Sequence, residues 1–266
     1  MSELGVKSPR FIKTRVFLFS LLAACVWVIG FKFSAPLFQS MHLPLFGSLF
    51  LLVIFVTIYR ATRQLNHYFA RVISDHKFIH WLIEARLSSF ILALLFSGVL
   101  TISAMVFVFN LDYQAWWIVF SGFAWVSLLM LSLTFKDYVR APIYNFSRAY
   151  ISVLFGALWM LAAQLTFVMI WPAHQFEPMS IELLEQVRAN VNHGEIWFQH
   201  IARTALYIEL NILALAQVDG FSPWLVATIL LLTTSIVPFM ALALFARSIY
   251  EGFARWLLPP LKEPNA

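Results

Sequence analysis

Cysteine is nearly absent: the 266 residues hold one, Cys25. A lone thiol closes no intramolecular disulfide, and without a CxxC pair there is no thiolate zinc site. Cys25 falls inside an apolar run and reads as a small packing residue. Charge is also scarce. Asp, Glu, Lys and Arg make up 12% of the chain and hydrophobic residues 61%, where a soluble domain has about a quarter charged and about half apolar. That balance excludes a disordered chain and a soluble enzyme with a membrane tail. The phosphate loop GxxxxGK[ST] and the GxGxxG, GxSxG and HExxH motifs are all missing. There is no low-complexity segment, no internal repeat and no matched pair of broken helices, so nothing points to an inverted-repeat transporter.

What is present is a series of long apolar runs. They cover residues 16–35, 43–59, 87–109, 115–135, 150–171 and 223–246. Each is near the ~20 residues that cross ~30 Å of hydrocarbon at ~1.5 Å per residue. The first follows a basic segment, as a signal peptide would. It is too long for a signal core, however, and Lys32 and Phe33 stand where a cleavage site needs small residues. It reads as a retained span with Lys32 near its outer end, where the stem can snorkel. A further stretch, 201–217, contains Arg203, Glu209 and Asn211. A central charge costs roughly 2.5–3.5 kcal/mol on insertion, so this stretch reads as a surface or re-entrant helix.

Basic residues alternate between the loops. Lys7, Arg10, Lys13 and Arg15 precede the first run, and Arg60, Arg63, Arg71, Lys77 and Arg86 follow the second. Lys136, Arg140 and Arg148 follow the fourth, and Arg247, Arg255 and Lys262 follow the sixth. The intervening loops are neutral or acidic: 172–222 sets six carboxylates against Arg188 and Arg203. The positive-inside rule then places both termini in the cytoplasm, with six spans in the inner membrane of a bacterium. The expected fold is all-α: a polytopic six-helix bundle with amphipathic surface helices. Segment 60–86 is expected on the cytoplasmic side, along the leaflet or as an extension of the second span. Segment 172–222 is expected as an extracytoplasmic helical hairpin, and the tail from Arg247 to Leu258 as a short interfacial helix stopped by Pro259 and Pro260.

Candidate chemistry is thin. His76 and His80 are four apart, a two-ligand spacing on a helix, and His193 and His200 could ligate haem or a metal near Glu195. Solvated histidines explain both pairs as well, and no cofactor is expected. No Asp or Glu falls inside the six runs, where a proton relay would keep one. Gln164 is the most central strongly polar side chain, suited to an interhelical hydrogen bond or a pore. Thr234 precedes Pro238 by four residues and can help satisfy the backbone there. Ser89, Ala93, Ser97 and Thr101 recur every fourth residue and make a ridge that admits another helix, while Ser152 and Gly156 begin a shorter one.

Three functions follow as expectations. The first is a non-catalytic membrane component: a subunit, scaffold or anchor whose partners are lipids and other membrane subunits, not nucleic acid. The second is a channel or transporter of a small solute or ion. The third is a membrane redox or metal enzyme using the histidines.

Overall fold

A computed structural model describes residues 9–38, 42–72, 86–111, 115–132, 141–170, 198, 201, 204–205, 207–208, 211–212 and 221–257. They form six long helices: α1 (Pro9–Phe38), α2 (His42–Val72), α3 (Arg86–Asn110), α4 (Trp116–Ser132), α5 (Ala141–Ile170) and α6 (Phe221–Leu257). The described positions between 198 and 212 are helical too. All except α4 are long and apolar enough to cross a membrane. At 17 residues α4 spans about 25 Å.

Helix α6 is the hub, packing against each of the other five. Its middle is apolar all round, as the centre of a bundle requires. Phe239, Leu242 and Phe245 are wholly buried, and Ala241, Ala243 and Ala246 keep this stretch slim enough for close neighbours, while Ile229, Leu230 and Val237 leave one face exposed before it. Helix α1 runs antiparallel to it. Trp27 of α1 stacks near Phe50 of α2, at 4.7 Å between ring centroids, and both meet Phe245, at 5.0 and 4.4 Å. The Trp27 indole nitrogen is buried with no hydrogen-bond acceptor among the described residues. The aromatic faces around it are its immediate surroundings, and these give an N–H a weak π partner.

The α4–α5 seam shows why small residues sit where they do. Ser152 donates to the Met130 sulfur at 3.2 Å. Four residues on, Gly156 lies against Val126; four further, Met160 lies against Gly122. Each step of four along α5 is thus matched by four back along α4. A Cβ on Gly156 would collide with Val126 and reach Ala243 of α6 at 3.5 Å. Glycine there lets three helices meet.

One boundary differs from the sequence reading. The last apolar run was expected to end at 246, with a separate interfacial helix after it. Instead α6 continues unbroken to Leu257. Phe253 stacks on Phe19, 6.1 Å away, and Phe19 is the fourth residue of the first apolar run. The last three turns of α6 therefore lie beside the start of the apolar run of α1. In addition α2 runs to Val72, which matches the extension expected for the start of segment 60–86; residues 73–85 lie outside the described ones.

Candidate functional site

The chemistry available to this bundle is its charge and polarity among apolar helices. The first group is Lys32. Its ammonium donates to the carbonyls of Phe109 at 2.6 Å and Leu111 at 2.8 Å. Asn110 ends α3, so these are carbonyls with no partner further along the helix, at the negative end of its dipole. The chain turns tightly there, with Leu111 N–H on the Val108 carbonyl. Lys32 thus caps a neighbouring helix, a tie between α1 and α3 that the snorkelling expectation did not include.

The second group was not expected at all. Arg247 Nε donates to Glu251 Oε1 at 2.9 Å, and Arg255 lies 3.6 Å from Glu251 Oε2. The Arg247 and Glu251 side chains are only 13% and 25% exposed. The Phe19–Phe253 contact sets their depth. Glu251 lies two residues on the core side of Phe253, and Arg247 a full turn beyond that. Helix α6 thus carries one carboxylate, Glu251, beyond the apolar run that ends at 246. Charged groups at such depth persist when they pair with one another. Spacing of four puts both partners of Glu251 on one helix face.

Hydroxyls are largely engaged by their own helices. Ser20, Thr57, Ser97, Thr101 and Ser248 are buried, and each donates to a carbonyl three or four residues earlier. This is the usual way a hydroxyl is accommodated in an apolar helix.

The sequence candidates are placed as follows. Gln164 is buried in α5, 5% exposed. Thr234 is on the exposed side of α6, and its hydroxyl donates to Leu230 at 3.0 Å and Leu231 at 3.2 Å. That bond lies one turn before the carbonyl Pro238 leaves unpaired, which is that of Thr234 itself. Gln164 and Thr234 thus differ: one faces the bundle interior, the other its outside. Ser89, Ala93, Ser97 and Thr101 are all buried on α3. The opposite side of that helix, including Leu95, Phe96 and Val99, is exposed. His76, His80, His193 and His200 lie outside the described residues. Among the described residues no three His, Cys, Asp or Glu gather in a metal-binding group.

Between 198 and 212, the described positions show one inner and one outer face. Phe198 and Ile212 are buried and Ala205 packs on the core, whereas Ile201 and Ile208 are exposed. Phe198 meets Phe109 edge-on at 5.6 Å, which ties this segment to the α3 end that Lys32 caps.

Comparison with known proteins finds no matching family profile, no curated relative and no similar solved structure.

Proposed function

We propose that this protein is a non-catalytic membrane component, a helical scaffold that holds partner subunits in the bilayer. One observation carries the reading: α6 occupies the middle of the bundle and packs on all five other helices. Phe239, Leu242 and Phe245 fill the place a conducting path would need. The internal charges support it. Lys32 ties α1 to α3, and Glu251 is engaged along α6. Such groups hold helices in place and leave the outward faces for other work. In the full reading the chain crosses the inner membrane of a bacterium six times, α4 included, with both termini cytoplasmic. Its partners are lipids and other membrane subunits.

The test is purification through a C-terminal tag in mild detergent, with native mass and the identity of every stoichiometric protein. The expected result is a stable hetero-complex. A lone monomer or homo-oligomer that passes a solute in liposomes would replace the scaffold with a channel or transporter. A visible absorption band or bound metal would favour the redox reading.

A further inference from the structure

We draw no further inference here: the strongest candidate, the outward apolar face of α3 where Leu95, Phe96 and Val99 are exposed beside open space at Gly98, is an unpartnered helix face, and nothing in the structure shows what covers it.

Discussion

Replacing Lys32 with Met tests the helix tie most sharply. Methionine keeps an unbranched stem and loses the ammonium. The carbonyls of Phe109 and Leu111 would lose donors at 2.6 and 2.8 Å. Charge-assisted hydrogen bonds are worth about 1.5–3 kcal/mol each. Two give about 3–6, against which ordering a lysine side chain costs up to about 2 kcal/mol. Desolvation of the ammonium reduces the net further. The expected loss is about 2 kcal/mol, a fall of roughly 4–8 °C in Tm for a chain of this size. The assay is thermal unfolding in detergent, followed by tryptophan fluorescence. Lys32→Arg, which keeps the charge and the donors, should lose less than half as much. A Met variant as stable as wild type would refute the tie and return Lys32 to the role of a lipid-facing anchor.

Other substitutions probe the packing. Gly156→Leu should overpack the junction of α4, α5 and α6, where a Cβ already collides with Val126. The cost should reach 1 to about 3 kcal/mol, read as lost thermal stability. Gly98→Leu is the control, because open space surrounds that position. It should be neutral or stabilising by up to about 1 kcal/mol, and a large loss there would reveal a partner seated on α3. Ser97→Leu should destabilise α3 packing, since Ser97 is fully buried; unchanged stability and assembly would show the ridge to be incidental. Tags at both termini should be cytoplasmic in intact cells, and an externally accessible C terminus would overturn the six-span topology.

The apolar runs were legible because hydrophobic length is a direct signal of a membrane-crossing helix. The ridge from Ser89 to Thr101 was legible as a period of four, and its residues do lie on the buried side of α3. The end of the sixth run was not. Arg247 reads as a terminator when hydropathy is taken residue by residue. Glu251 sits four residues from both arginines, so the charges compensate along the helix and the helix continues. A search for opposite charges at spacing four just past an apolar run would have found it. The Lys32 contact was beyond sequence reasoning, because its acceptors lie 77 and 79 residues away. The α4–α5 register was half legible: Ser152 and Gly156 marked the seam, but nothing in the sequence matched them to Met130 and Val126.

The central claim is that α6 forms the axis of the bundle and carries its charged last turns alongside α1. Cysteines replacing Phe19 and Phe253, in a chain with Cys25→Ala, test it most directly, because those rings lie 6.1 Å apart. Oxidation in native membranes should link the two positions within one chain, with neither thiol labelled by an aqueous maleimide. The contradictory result is no link and ready labelling at position 253, which would place the residues after 246 on the membrane surface as a separate helix.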